Sequence, residues 1–157
     1  MIISEILATL SEKYKEKLTV ITEKNELVIE SGSLVPLLEE LKNTYGFNML
    51  AVLTAVEYST KLEMVYRLMS QESAQLVVIK VELPLASPKV ASIAKVWSAA
   101  IVQECEVFDM FGIIFEGHPN LRRILNPDDF AHFPLRKSFK LEVIDRQSQE
   151  LLMKDKK

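Results

Sequence analysis

Three β-type runs in close succession, Met49–Glu57, Leu62–Met69 and Gln75–Leu83, restrict this chain more than any other feature. Only the short polar gaps YSTK and SQES separate them. Gaps that short leave no room for a crossover helix, so the runs read as an antiparallel meander. In LEMVYRLM, the alternation of Leu62, Met64, Tyr66 and Leu68 with Glu63, Val65, Arg67 and Met69 leaves both faces partly apolar. This strand is expected to be central and covered.

Helical patterns flank the meander. Ile3, Ile6, Leu7, Leu10 and Tyr14 recur at helical spacing, which predicts a first amphipathic helix over residues 3–16. Two short strands, Leu18–Thr22 and Glu26–Glu30, turn through Lys24–Asn25. A second helix runs from Leu34 to about Lys42, with Ser33 as its cap and Pro36 in its first turn, and Asn43–Gly46 stop it. Ser87–Pro88 is a helix-start pattern, and Val90, Ile93, Trp97, Ala100, Ile101, Phe108 and Phe111 then form one apolar stripe up to Gly112. Glu104 falls on that stripe, and a carboxylate on a buried face must find a cation or take up a proton.

The fold class expected is α+β: a small antiparallel or mixed sheet flanked by helices, with a long extended C-terminal arm. Residues 1–111 read as the core domain and 112–140 as the arm. Residues 141–157 read as a short tail, with a short strand over Leu141–Ile144 and a solvated KDKK end. The arm is broken by Pro119, Pro127 and Pro134 yet stays apolar. That composition is too hydrophobic for solvated disorder and suits a segment that covers its own domain and lies against a partner.

Bulk properties narrow the function. At 157 residues the chain fits one domain with a real core. Its net charge of −3 and lack of a lysine–arginine stripe argue against nucleic acid. Its longest apolar runs fall short of the ~20 residues a membrane helix needs. The acid- and lysine-bearing N-terminus does not read as a signal peptide, so the chain is expected in the cytosol. Cys105, the single cysteine, can neither close an internal disulfide nor hold a four-thiolate iron–sulfur cluster.

The candidate chemistry lies in ECEVFDMFGIIFEGHPNLRRIL, residues 104–125. A metal or acid–base site could use Glu104, Glu106, Asp109 and His118, but one histidine without a second at ligand spacing is weak support. The plainer reading is a turn histidine bonded to backbone or carboxylate. His132 has less support still. Cys105, between two glutamates in mid-helix, would have a quiet thiol. No G-x-S-x-G elbow, G-x-G-x-x-G or Walker loop occurs. The constellation is instead electrostatic: Glu104, Glu106 and Asp109 at the end of one helix, with Arg122, Arg123, Arg136 and Lys137 on the arm beyond it. Carboxylate–arginine pairs, with Glu104 in one of them, would pin the arm to the helix and turn its apolar side outward. No catalytic or metal residue is assigned.

The run ECEVFDMFGIIFEGHPNLRRILNPDDFAHFPLRKSF, residues 104–139, closely resembles the signature of the 30-kilodalton subunit family of respiratory complex I. Glu104, Glu106, Asp109, Gly112, Phe115, Gly117, His118, Pro119, Arg123, Pro134, Leu135, Arg136 and Lys137 match it in order. Four positions depart: Cys105 stands for arginine, Ser138 for aspartate, His132 for glycine, and Phe130 for the commoner tryptophan.

The resemblance implies a non-catalytic subunit in the peripheral arm of a membrane-bound, ion-translocating oxidoreductase, on the cytoplasmic side. Partners would be a large hydrogenase-like subunit (the 49-kDa type), a small iron–sulfur subunit and a ferredoxin-like subunit. The iron–sulfur clusters, and a nickel–iron centre or flavin and quinone, would sit in those partners and none in this chain. Glu104, Glu106, Asp109, His118, Arg122, Arg123, Arg136 and Lys137 would form a partner-binding ion-pair network, and Phe111, Phe115, Pro119 and Leu135 would pack the arm. Chain length and the departures favour the branch of membrane-bound nickel–iron hydrogenases or ferredoxin-dependent complexes. The alternative is the C subunit of an NADH–quinone oxidoreductase; a stand-alone metal-assisted hydrolase is the remaining rival.

Overall fold

A computed structural model describes residues 2–140. Ten regular elements occur in order: α1 (Ile3–Tyr14), β1 (Leu18–Ile21), β2 (Glu26–Ile29), α2 (Leu34–Asn43), β3 (Met49–Glu57), β4 (Lys61–Met69), β5 (Leu76–Pro84), β6 (Lys89–Ala91), α3 (Ala100–Phe111) and β7 (Ile114–Glu116). The expected strand at Leu141–Ile144 and the KDKK tail lie outside the described residues.

The main sheet is mixed, in the order β1-β2-β5-β4-β3. The meander forms as the short gaps require, with β3–β4 and β4–β5 antiparallel and β4 interior. Local patterns do not reveal that β2 joins it in parallel beside β5, Leu27 opposite Ile79. Cross-strand register puts Leu53, Tyr66 and Ile79 in one row and Ala55, Met64 and Val81 in the next, all buried. This face carries the core with Leu7 and Leu10 of α1 and Leu37, Leu38 and Leu41 of α2. On the opposite face Glu63 stands across from Glu82, a repulsive pairing that the flanking lysines offset. Lys61 bridges Glu82 and approaches Glu63 at 4.0 Å, while Lys80 binds Glu26 at 2.8 Å.

Tyr66 is fully buried and its hydroxyl has no hydrogen-bond partner among the described residues. Burial, and secondarily the charge of Glu104, push that hydroxyl well above the usual tyrosine range. Tyr66→Phe removes an unsatisfied donor at constant shape, so a gain of about 1 kcal/mol in urea unfolding is expected. A loss of that size would show that the hydroxyl is satisfied.

The third helix departs from expectation. The helix predicted from Ser87–Pro88 begins only at Ala100. Lys89–Ala91 instead pairs in parallel with β7, where Ile114 N donates to the Pro88 carbonyl and Ser92 N to the Glu116 carbonyl. The partner strand lies beyond α3, so no local pattern could compete with the proline signal. Nor is the stripe as expected: Ile101 is exposed and Phe108 half-buried, while Ala100, Glu104, Cys105, Val107 and Asp109 face inward. Within the arm, Ile114–Glu116 is thus a strand.

The β6–α3–β7 unit sets α3 against β3. β3 is an edge strand, and Gln103 of α3 accepts from its Leu53 N–H at 2.5 Å, blunting that edge. Gly112 ends α3 with φ of 73°, its N–H on the Phe108 carbonyl. That left-handed residue turns the chain into β7 and starts the arm.

Candidate functional site: a buried carboxylate clamp under the arm

Two carboxylates of α3, Glu104 and Asp109, are fully buried. They hold different parts of the chain. Asp109 is wrapped by the arm. Its Oδ2 accepts from three successive backbone N–H groups, Ile124 at 3.0 Å, Leu125 at 2.7 Å and Asn126 at 2.9 Å. Its Oδ1 accepts from Arg123 Nη1 at 2.7 Å and from the Asn126 side-chain amide at 2.9 Å. Burial pushes this carboxyl up, but the Asn126, Leu125 and Arg123 donors outweigh it and hold it well below the usual carboxylate range. Asp109 sits two residues before the helix end, where the helix dipole disfavours an anion. The surrounding amides and guanidinium supply the compensation.

Arg123 is the hub of the arm. Beyond Asp109 it donates to the His132 carbonyl at 3.1 Å, and its guanidinium lies over the rings of Phe133 at 5.0 Å and Phe130 at 5.9 Å. Planar stacking combined with a forked donor set suits arginine and not lysine.

Glu104 does not take the arginine partner expected of it. Its Oε2 accepts from the Ser92 hydroxyl at 2.6 Å and its Oε1 from Ile93 N at 2.7 Å, which ties α3 to the end of β6. The ring of His118 lies nearby, its Nε2 3.9 Å from Oε2. The reason is geometric: β6 runs beside the helix, so backbone and hydroxyl donors reach Glu104 where arginines from the arm do not. Burial raises the Glu104 carboxyl above its usual range, opposed by Ser92, Ile93 and His118.

An acid with a raised native pKa binds more protons folded than unfolded, so stability falls as pH rises above the ordinary glutamate value of 4.5. Glu104→Gln removes that titration. Melting temperatures of the variant measured over about pH 4 to 8 should therefore decline less with rising pH than those of the parent. Parallel curves would exclude this origin.

His118 is a turn histidine. Nδ1 accepts from Asn120 N at 3.0 Å, which leaves the proton on Nε2 facing the Ile101 carbonyl at 2.9 Å. Both ring nitrogens are used, and Cys105 Sγ, 3.9 Å from Nε2, donates to the Asn120 carbonyl at 3.5 Å. Among the described residues no three histidine, cysteine, aspartate or glutamate side chains form a metal-ligating group. The hydrolase reading has no free lone pair at its only suitable histidine.

The arm's far end is fixed by a residue the sequence did not single out. Glu57, closing β3, accepts from Lys137 N at 2.6 Å and lies 3.7 Å from Arg136 Nε. Arg136 also donates to the Leu85 carbonyl at 2.8 Å, while its Nη1 is buried without a partner among the described residues. Glu57→Ala should accelerate hydrogen exchange at the Lys137 amide by about ten- to a hundredfold; an unchanged rate would mean that the arm is held elsewhere.

Of the remaining expected residues, Glu106, Arg122 and the Lys137 side chain are exposed and make no ion pair among the described residues. Phe111 and Phe115 are core residues, whereas Pro119 and Leu135 are exposed. Sequence reasoning missed Ser92, Glu57 and Asn126. Asn126 alone left a trace, as an asparagine before a proline in a turn.

The fold and clamp define a small α+β module whose irregular arm is locked by the buried Asp109 carboxylate. The family model of the respiratory-chain NADH dehydrogenase 30 Kd subunit matches residues 27–144, and the chain belongs to that family. It is 48% identical over 119 residues to the C subunit of the NADH-quinone oxidoreductase of Moorella thermoacetica, covering 74% of this chain and 80% of the relative. The C subunit of the Geobacter metallireducens NADH-quinone oxidoreductase is 34% identical over 125 residues, covering 77% of each chain.

Two solved structures share the fold at 23% identity. A chain of the membrane-bound sulfane sulfur reductase, an archaeal respiratory membrane complex, has a TM-score of 0.78 and covers 91% of this chain and 93% of its own. The trypsin-resistant Nqo5 fragment has a TM-score of 0.64, covering 76% of this chain and all of the fragment. No helix among the described residues is long and apolar enough to cross a membrane.

Proposed function

We propose that this chain is a non-catalytic structural subunit, the C subunit of an NADH–quinone oxidoreductase-like complex, seated on the peripheral arm at the cytoplasmic side. The observation that carries the reading is the family match, which spans most of the sheet, the clamp and the arm. The relatives' shared name supports this assignment over the hydrogenase branch that chain length and the four departures favoured. The clamp itself supports a structural role, since its carboxylates and histidine are consumed by internal hydrogen bonds and none is left to touch a substrate. In this reading the clusters, flavin and quinone site belong to sister subunits, among them the large hydrogenase-like one. The clamp keeps an irregular arm in one conformation against them.

The test is purification of the tagged full chain from its own membranes in mild detergent. Stoichiometric recovery of a large hydrogenase-like subunit together with iron, flavin and NADH oxidation is expected. A chain that elutes alone would overturn the assignment, and nickel in the eluate would return it to the hydrogenase branch.

A further inference from the structure

A pocket of about 390 Å³ lies beside the carboxylate clamp, bounded by the loop after β5, the end of α3 and the far part of the arm. Its walls are mostly apolar: Leu85 and Pro88 come from the loop, Phe111 closes α3, and Phe133 and Phe139 come from the arm. Four polar residues share the lining, Ser87, His132, Arg136 and Ser138, and no aspartate or glutamate does. An apolar pocket of this size with a few polar groups is the form a small-molecule site takes.

Arg136 gives the pocket its sign. Its guanidinium donates to the Leu85 carbonyl and stands 3.7 Å from Glu57, yet Nη1 is buried with no acceptor among the described residues. A buried donor without an acceptor costs free energy, and a charged donor costs more than a neutral one. An anion that reaches the guanidinium offsets that cost, and the planar fork of arginine suits a carboxylate.

Two of the four departures from the family signature fall in this same lining. Ser138 stands for an aspartate, so a hydroxyl replaces a carboxylate two residues from Arg136. His132 stands for a glycine, so a ring replaces a hydrogen. That ring lies 5.9 Å from the ring of Phe139, which adds flat surface to the pocket. Compared with the signature, the lining loses an anion and gains an aromatic wall. Both changes suit a ligand that brings its own carboxylate and rests its body on rings.

We propose that this pocket binds a free small organic carboxylate with a flat apolar body. Arg136 and Ser138 take the carboxylate, and the rings of His132, Phe133 and Phe139 hold the body. The inference is independent of the subunit reading, because every residue of the site belongs to this chain.

The test is a fluorine and amide NMR titration of the full chain with para-fluorobenzoate. Shifts confined to the pocket, at the Gly112, His132 and Ser138 amides, are expected. Acetate, which lacks the body, and fluorobenzene, which lacks the charge, should each bind at least about tenfold more weakly. Arg136→Gln should abolish binding, but it also removes the bond to Leu85. Ser138→Asp is therefore the deciding variant. It restores a carboxylate at an exposed position, so it should weaken para-fluorobenzoate about tenfold without lowering the melting temperature.

No binding, equal binding of acetate or fluorobenzene, or full affinity in Ser138→Asp would each overturn the proposal. The same titration on the isolated complex distinguishes the source of the carboxylate. Binding retained there supports a free ligand. Binding to the free chain alone would mean that a neighbouring subunit's carboxylate fills the pocket, and would overturn it.

Discussion

Asp109→Ala is expected to cost about 3–5 kcal/mol in urea unfolding, the usual result of removing one partner from a buried charged network. The substitution removes the acceptor of the N–H groups of residues 124, 125 and 126 and the carboxylate partner of the Arg123 guanidinium, all of which converge on one side chain. The same clamp gives the molecule an acid-side pH dependence. Because the native carboxyl titrates below its ordinary value of 3.8, its contribution is fully present above about pH 5 and is lost as pH falls through the native pKa. Asp109→Ala should therefore flatten the acid limb of the stability profile. Glu104, whose pKa moves the opposite way, governs the limb above it. A loss below about 1 kcal/mol, or an unchanged acid limb, would mean that the nest does not stabilise the arm.

The second large effect is expected at Gly112. A Cβ there would lie 2.6–2.8 Å from the ring atoms of Phe133, on a residue whose φ is 73°. Gly112→Ala therefore combines left-handed backbone strain of about 1–2 kcal/mol with a steric clash of about 1–3 kcal/mol. The total expected is about 2–5 kcal/mol, read from the shift in denaturation midpoint at constant slope. A double-mutant cycle separates the two parts. In a Phe133→Ala background the clash vanishes, so Gly112→Ala should then cost only about 1–2 kcal/mol. An equal cost in both backgrounds would assign the whole effect to the backbone.

Much of this molecule is legible without its structure. Gaps too short for any crossover dictate the meander, and the place of Glu104 among apolar helical residues dictates its burial. Pinning of the arm by an arginine is expected of Glu104, but the arginine pair the structure holds is that of Asp109 with Arg123. The failures share one reason. Pro88 signals a helix start only while local sequence is all that competes, and the strand that claims Lys89–Ala91 arrives after α3. The same distance hides β2 beside β5, Ser92 beneath Glu104, and Glu57 beneath Lys137. In each case the partner is remote in sequence and carries no periodic signal of its own.

The sequence by itself determined the meander, the first two helices and the family, because periodicity, turn residues and an ordered motif are properties of neighbouring positions. Only the tertiary structure decided which buried carboxylate receives which donors, and so which side chains the arm presents. A buried charge takes whichever donors the packed backbone brings within about 3 Å. That proximity exists only once β6, α3 and the arm have come together.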